Sequence, residues 1–198
     1  MTVAPEGRHR SPLEALGLAG KALDALEAYL DLLAQWSRRI NLTGARTPDE
    51  RVQTLVAGVA AAAGLAEPGH LLDVGSGNGS PGLVLALLRD DLDVTLLEPR
   101  ARRWAFLREA VRVTGRKGVR VLRLRHDSYR GAPARTLTLR GLQLPLSELL
   151  PLVAPGGRLL LFGRGPMEVA PFTREEDRTL PPDDLQVLRA PPRVPRET

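Results

Sequence analysis

The chain has 198 residues, 43% hydrophobic and 26% charged, enough for one compact domain with a small helical annex. It holds no cysteine, which excludes disulfides, thiolate zinc sites and cysteine nucleophiles and suits a reducing cytosol. Its net charge of +5 is uneven: residues 1–65 balance seven basic against seven acidic side chains, whereas residues 100–140 carry twelve arginines and Lys117 against Glu109 and Asp127 alone.

Residues 1–10 read as a frayed tail. Ser11-Pro12-Leu13-Glu14 has the form of a capping box with proline at the first helical position. Leu23, Leu26, Tyr29, Leu30, Leu33 and Trp36 then recur at intervals of three and four, predicting one amphipathic helix from residue 11 to about 38. "INLTGART" (40–47) is a turn, and Thr47-Pro48-Asp49-Glu50 is a second capping box opening a helix to about Gly64. The expected division is a helical annex over 1–65 and a second unit over 66–198. The longest apolar run, "LVAGVAAAAGLA" (55–66), is about half a membrane span, and no secretory pattern follows Met1. A cytoplasmic protein without membrane association is expected.

From residue 69 the pattern changes. "HLLDV" (70–74) reads as a buried strand, "PGLVLALLRD" (81–90) as a helix with proline in its first turn, and "DVTLLE" (93–98) as a strand. "RARRWAFLREAVRVTG" (100–115) reads as a helix, "VRVLRLR" (119–125) and "RTLTLR" (135–140) as strands, "LSELLPLVA" (146–154) as a helix and "GRLLLF" (157–162) as a strand. Strands alternating with helices predict an α/β fold, a parallel-dominated sheet with helices on both faces. The last 33 residues, with seven prolines, predict only one closing strand at "LQVLRA" (185–190).

Between the first strand and its helix lies "GSGNGSPG" (75–82), dense in glycine at the sheet edge where open α/β folds bind ligands. Gly75, Gly77 and Gly79 permit unusual dihedrals and let a ligand lie against bare backbone. Asp73 is placed to orient this loop or to receive a cationic amino group. Gly77-Asn78-Gly79-Ser80-Pro81-Gly82 formally fits the dinucleotide pattern G-x-G-x-x-G. In that register the loop starts late, and Pro81 removes an amide donor where a pyrophosphate wants one. Asp73, Gly75, Gly77 and Gly79 instead fit D-x-G-x-G-x-G, which resembles the S-adenosylmethionine loop of Rossmann-like methyltransferases. Glu98, ending the second strand, suits the ribose of either cofactor. The register favours S-adenosylmethionine over NAD.

The excess of eleven positive charges over residues 100–140 favours a polyanion such as nucleic acid. Solvated helix faces are the competing account, since 26 of the 28 basic residues are arginine. Without cysteine, covalent pyrimidine C5 methylation is excluded. The place after the fourth strand holds "TLRGLQ" (138–143) instead of the Asn/Asp-Pro-Pro-aromatic motif usual for exocyclic amino methylation. A guanine N7 lone pair needs no general base, so the absence of a catalytic dyad is consistent with N7 chemistry.

Several stretches together resemble the bacterial small-subunit ribosomal RNA guanine-N7 methyltransferases, also called glucose-inhibited division protein B. They are "YLDLLAQWSRRINLTGARTPDE" (29–50), "LLDVGSGNGSPGLVLAL" (71–87), "LLEPRARRWAFLREA" (96–110), "RLRHD" (123–127), "TLRG" (138–141) and "GRGP" (163–166), so the likeness covers about residues 25–166. The resemblance implies S-adenosylmethionine as cofactor, no metal, ribosomal RNA or the small subunit as partner, and a monomer. It implies that Gly75 and Ser80 touch the cofactor, Glu98 its ribose, and His126 and Asp127 its adenine. Arg140 is implied at the methionine end near the target base, making it a cofactor-binding and a catalytic candidate together with Arg125 and Asn41. Arg103, Arg125 and Arg164 are implied on the RNA side, Arg164 in place of lysine. For Asn41 a turn-capping role competes with catalysis. The chain departs from the family at 55–59, where Leu55, Gly58 and Val59 stand for the His, Asp and Ser of H-x-x-D-S. Ser80 and Asp127 replace a usual apolar residue and a usual glutamate. The segment after Pro166 is short for the family's further helix and paired strands. A catalytically weak cofactor-binding relative, or a methyltransferase of small molecules or proteins, are the alternatives.

Overall fold

Apolar strands that are buried on both sides need a sheet covered on both faces. The computed structural model, which describes residues 9–192, provides one of seven strands. They are β1 (Gly69–Val74), β2 (Leu92–Leu97), β3 (Val119–Leu122), β4 (Ala134–Arg140), β5 (Val153–Phe162), β6 (Thr173–Leu180) and β7 (Asp183–Arg189), in the spatial order β3-β2-β1-β4-β5-β7-β6. The first five run parallel, and β7 inserts antiparallel between β5 and β6. The chain moves outward from β1 through β2 to β3, then returns to place β4 on the other side of β1. The carboxyl ends of β1 and β4 therefore flank a reversal of strand order, where a crevice opens.

One face is covered by α1 (Arg10–Ala15), α2 (Gly20–Trp36), α3 (Pro48–Val52), α4 (Gly58–Ala62), α5 (Gly82–Leu88) and α6 (Ala101–Thr114). Their buried side chains, among them Leu26, Leu30, Val56, Leu85 and Phe106, form one continuous core with Leu71, Val94 and Leu160 of the sheet. On the other face Leu72, Val74, Leu137 and Leu159 pack with Leu146 and Leu149 of α7 (Leu146–Leu149) and with Phe172. No helix among the described residues is long and apolar enough to cross a membrane.

Several predicted elements differ. The tail expected over 1–10 lies outside the described residues as far as residue 8, whereas His9 is 1% exposed and Arg10 already starts α1. The single helix from 11 to 38 is two helices. Gly17 (φ 77°) and Gly20 (φ 58°) adopt left-handed backbone between them, and Ser11, inside α1, makes no cap. The second capping box forms: Thr47 Oγ1 accepts from Glu50 N at 3.2 Å and Glu50 Oε2 from Thr47 N at 3.2 Å. Its helix widens to a π turn over Gln53–Ala57 and ends in a 3-10 turn at Ala63–Leu65. Pro81 precedes α5 instead of lying in its first turn. Strand β3 stops at Leu122, and the predicted helix at 146–154 is one α turn and one 3-10 turn before β5 begins at Val153.

The closing region holds two strands, not one. "TREEDRTL" forms β6, an edge strand whose residues 174–178 are all charged, so its sequence carries no apolar period. The prolines at 171, 181 and 182 fall at the ends of this hairpin, outside its ladder. The paired strands whose room the short C-terminal segment put in question are therefore present.

Leu30, fully buried in α2, belongs to the core that the helical segment shares with the sheet. Leu30→Ala is expected to destabilise the protein by about 2–5 kcal/mol in urea unfolding followed by circular dichroism.

Candidate active site at the glycine loop

Strand β1 ends in Asp73 and Val74, 1% and 2% exposed, and the chain turns through Gly75 (φ 71°), Gly77 (φ 50°) and Gly79 (φ 98°) into α5. A side chain is strained at each of these angles. At Gly82 close approach is the reason, since a Cβ there would lie 2.4 Å from Asp73 Cβ. This glycine serves helix–strand packing whatever the ligand.

The bare loop is held by groups from elsewhere. The Tyr29 hydroxyl of α2 donates to Asn78 O at 2.8 Å, and burial lifts its pKa well above the ordinary tyrosine value, so it stays a donor. Asn78 Nδ2 donates to Leu42 O at 3.0 Å, and its Oδ1 accepts from Ser80 N at 3.0 Å. Ser80 Oγ donates to Leu55 O at 2.6 Å and accepts from Arg140 Nη1 at 2.8 Å. Arg140 also donates from Nη2 to Thr54 O at 2.6 Å and pairs with Asp183 at the start of β7. Sequence reading placed Arg140 at the site; the structure shows its guanidinium tied to the loop, the helical segment and β7 at once.

Two carboxylates frame the loop. Asp73 Oδ1 accepts from Thr138 Oγ1 at 2.6 Å, its register partner on β4, while the buried Oδ2 has no partner among the described residues. Burial pushes this carboxyl up to about 6, against the pull of the Thr138 and Ser76 hydroxyls, the Gly82 N–H and the Arg140 charge. Glu98, 3% exposed, accepts from Gly77 N on Oε2 at 3.0 Å and from Arg100 N on Oε1 at 2.7 Å. A carboxylate has about four lone-pair positions, so two remain for a pair of hydroxyls. His126 is 8% exposed with Nε2 2.7 Å from Glu148 Oε2, whereas Asp127 is exposed, accepting from Ser128 and from Arg125 Nε at 3.1 Å. Asn41 is exposed in the turn after α2, and its carbonyl accepts from Arg103 Nη2 at 3.2 Å.

Beside the loop, at the ends of β4 and β5, a cleft of about 420 Å³ is walled by Leu139, Leu144, Leu146, Leu161 and Phe162, with Gln143 and Arg164 as its polar side chains. The Leu142 side chain, 45% exposed, reaches back to fill the space a Cβ on Gly75 would take.

Residues 22–169 match the GidB family model, rRNA small subunit methyltransferase G. The chain belongs to this family. The ribosomal RNA small subunit methyltransferase G of Rhodospirillum centenum is 39% identical over 180 residues, covering 88% of this chain and 82% of its own. The protein of that name from Chromohalobacter salexigens is 35% identical over 201 residues, covering 98% and 93%. Among solved structures, an RNA methyltransferase from Salinibacter ruber in complex with S-adenosyl-L-homocysteine has a TM-score of 0.58 at 17% identity, covering 70% of this chain and 94% of that one. A SAM-dependent methyltransferase from Aquifex aeolicus has a TM-score of 0.56 at 19% identity, covering 70% and 91%. At these identities the likeness is one of fold.

The family's cofactor, S-adenosylmethionine, meets a fitting set of groups. The orphaned Asp73 Oδ2 lacks a donor such as an ammonium group, Glu98 has two acceptor positions left, and the glycine backbone between them is bare. The GidB-family segment 55–59 is explained by packing. Leu55 and Val59 are 2% exposed core residues, and a Cβ on Gly58 would lie 3.3 Å from Leu180 O of β6. Asp183, a residue that sequence reading passed over, gives Arg140 its carboxylate. Tyr29, Thr54, Asn78, Thr138 and Glu148 were also missed as site residues. Of these only Thr138 left a signal, a polar position on a buried strand.

The basic stretch 100–140 is less free than its count. Arg112, Arg120 and Arg125 pair with Glu109, Asp93 and Asp127. Arg116 donates to Ala86 O at 2.6 Å and Leu92 O at 2.9 Å, and Arg130 to Asp127 O at 2.7 Å. Arg100, Arg102, Arg103, Arg108 and Arg123 have no carboxylate within ion-pair range among the described residues.

The raised Asp73 value has a definite sign. A folded pKa of about 6 against an ordinary 3.8 means the folded state holds the proton longer, so this group's contribution to stability falls between about pH 4 and 6 and is level above. A cationic ligand favours the ionised form. Affinity for S-adenosylhomocysteine, measured by titration calorimetry, is therefore expected to rise up to about tenfold per unit from pH 5 to 6 and to level above it. Asp73→Asn should bind weakly and without that dependence.

Proposed function

We propose that this chain transfers a methyl group to N7 of a guanine in small-subunit ribosomal RNA. Family membership makes it an S-adenosylmethionine-dependent methyltransferase of that RNA. The N7 position is supported by one observation above all: the cleft beside the glycine loop contains neither carboxylate nor imidazole among its lining residues. An exocyclic amine or a hydroxyl needs a group to take its proton, whereas N7 attacks with a free lone pair and needs only to be placed. Bound S-adenosylmethionine supplies an electrophilic methyl on a sulfonium.

In this reading the chain's own residues bind and position. Asp73 receives the cofactor's amino group, Glu98 its ribose hydroxyls, and the Gly75–Gly79 backbone lies along it. His126 and Asp127 border the adenine, with His126 oriented by Glu148. Arg140 acts through Ser80 and Thr54 by fixing the loop, and Asn41 and Arg103 close its outer side. The apolar walls of the cleft take the base, and Arg164, Arg125 and Arg103 meet phosphate. The helical segment 1–65 and the remainder, 66–198, thus build one site in a monomeric cytoplasmic enzyme. Catalysis by placement is sensitive, since a shift of about 1 Å can cost about a hundredfold in rate.

Borohydride–aniline cleavage tests the position, because N7-methylguanine is selectively labile. Small-subunit RNA from cells with this gene should be cut at one guanine and RNA from deletion cells should not. Unchanged cleavage from a chain that binds the cofactor would support a non-catalytic relative.

Cofactor choice is read separately. The chain should bind S-adenosylhomocysteine and not NAD in calorimetry, and Glu98→Ala should weaken that binding by about 1–3 kcal/mol, the cost of removing a charged acceptor from buried hydroxyls.

A further inference from the structure

The helical segment encloses a second polar cleft, of about 560 Å³, away from the glycine loop. Its lining includes His9, Asp31, Ser37, Arg38, Arg46 and Arg51. The only carboxylate lining it among the described residues, that of Asp31, is engaged by His9 Nδ1 at 2.6 Å. Glu50, next to Arg51 in the chain, is turned to the capping box and accepts from Arg46 N and Thr47 N at 2.6 and 3.2 Å. Among the described residues no carboxylate lies within ion-pair range of Arg38, Arg46 or Arg51. Arg38, Arg46 and Arg51 therefore line one cleft without a direct ion pair among the described residues, Glu50 and Asp31 acting on Arg51 only from a distance.

Two donors in the same wall are orphaned. Arg51 Nη2 donates to Arg46 O at 2.8 Å and Nη1 lies 3.4 Å from His9 Nε2, but Nε is buried and has no partner. Ser37 Oγ is likewise buried and unpartnered. An unmet buried donor costs free energy until an acceptor reaches it. Burial also holds the Arg51 guanidinium below the ordinary arginine value, a penalty that a neighbouring anion relieves. Orphan donors beside a planar guanidinium fork match a tetrahedral oxyanion, for which arginine is the usual partner.

The cleft also has a physical link to the glycine loop. Its wall residues Thr43 and Gly44 continue the turn of Asn41 and Leu42, which accept from Arg103 and from Asn78 of the loop. We infer that this cleft seats a backbone phosphate of the RNA whose base enters the methyl-transfer cleft, a contact separate from that of Arg164. The inference rests on the RNA-methyltransferase reading above and adds to it a second anchoring point.

The test is the salt dependence of binding to a small-subunit RNA fragment between about 50 and 200 mM salt, where each phosphate contact adds somewhat less than 1 to the log–log slope. Arg51→Gln should lower the slope by about 1 and leave S-adenosylhomocysteine binding unchanged. Because Arg51 is partly buried, the exposed pair Arg38→Gln and Arg46→Gln is the second variant, with the same expectation. Folded variants with the wild-type slope overturn the inference. So does inorganic phosphate that binds the wild type and is lost in the variants while RNA binding is unaltered, since the cleft then takes a free anion. A wild type that binds no RNA at low salt fails the underlying reading as well, so the two failures are distinguishable.

Discussion

A loop that must offer bare backbone to a ligand has few side chains of its own to hold it. Here Gly75, Gly77 and Gly79 after β1 adopt angles closed to other residues, and the loop's polar groups, those of Asn78 and Ser80 included, are met from outside by Tyr29, Leu42, Leu55, Glu98 and Arg140. Each such bond contributes about 0.5–1.5 kcal/mol net, which is modest singly, but together they fix the loop. All five partners lie outside β1 and α5, the elements that the loop joins. The helical segment is thus a wall of the site as well as a cover for the sheet.

The same arrangement accounts for where charge is spent. Arg140 and Arg116 are partly buried, donating to the backbone carbonyls of Thr54, Ala86, Arg89 and Leu92. Arg140 meets Asp183 from β7, so the antiparallel hairpin at the sheet's far edge is coupled to the loop at its centre. The carboxylate for Arg140 comes from β7, while Leu55 and Val59 are core residues and Gly58 makes room against Leu180. Among the described residues, arginines without a carboxylate in ion-pair range include Arg102, Arg103 and Arg108 on α6 and Arg38 and Arg46 around the turn after α2.

Asp73 illustrates a buried charge kept for a purpose other than stability. The Thr138 hydroxyl satisfies one oxygen, and the other is left without a donor, so the ionised form is disfavoured in the folded protein. An apolar residue there would pack without this cost, and a cationic ligand group removes it.

The sequence by itself determined the strand–glycine–helix unit, the acids at 73 and 98, the second capping box and the alternation that builds a parallel sheet. Each is a local matter: periodicity over one element, or residue types that only one backbone geometry accepts. It also located the family, because those motifs fall in a fixed order along the chain. Tertiary structure alone decided the rest. The break at Gly17–Gly20 was hidden because the apolar stripe continues across it, and β6 was hidden because an edge strand in water has no buried face to write a period. The partners Tyr29, Thr54, Asn78 and Asp183 lie far from one another in the chain and act through single hydrogen bonds or carbonyls. Such a contact leaves no pattern in the residues on either side of it, so only the folded arrangement brings them to one loop.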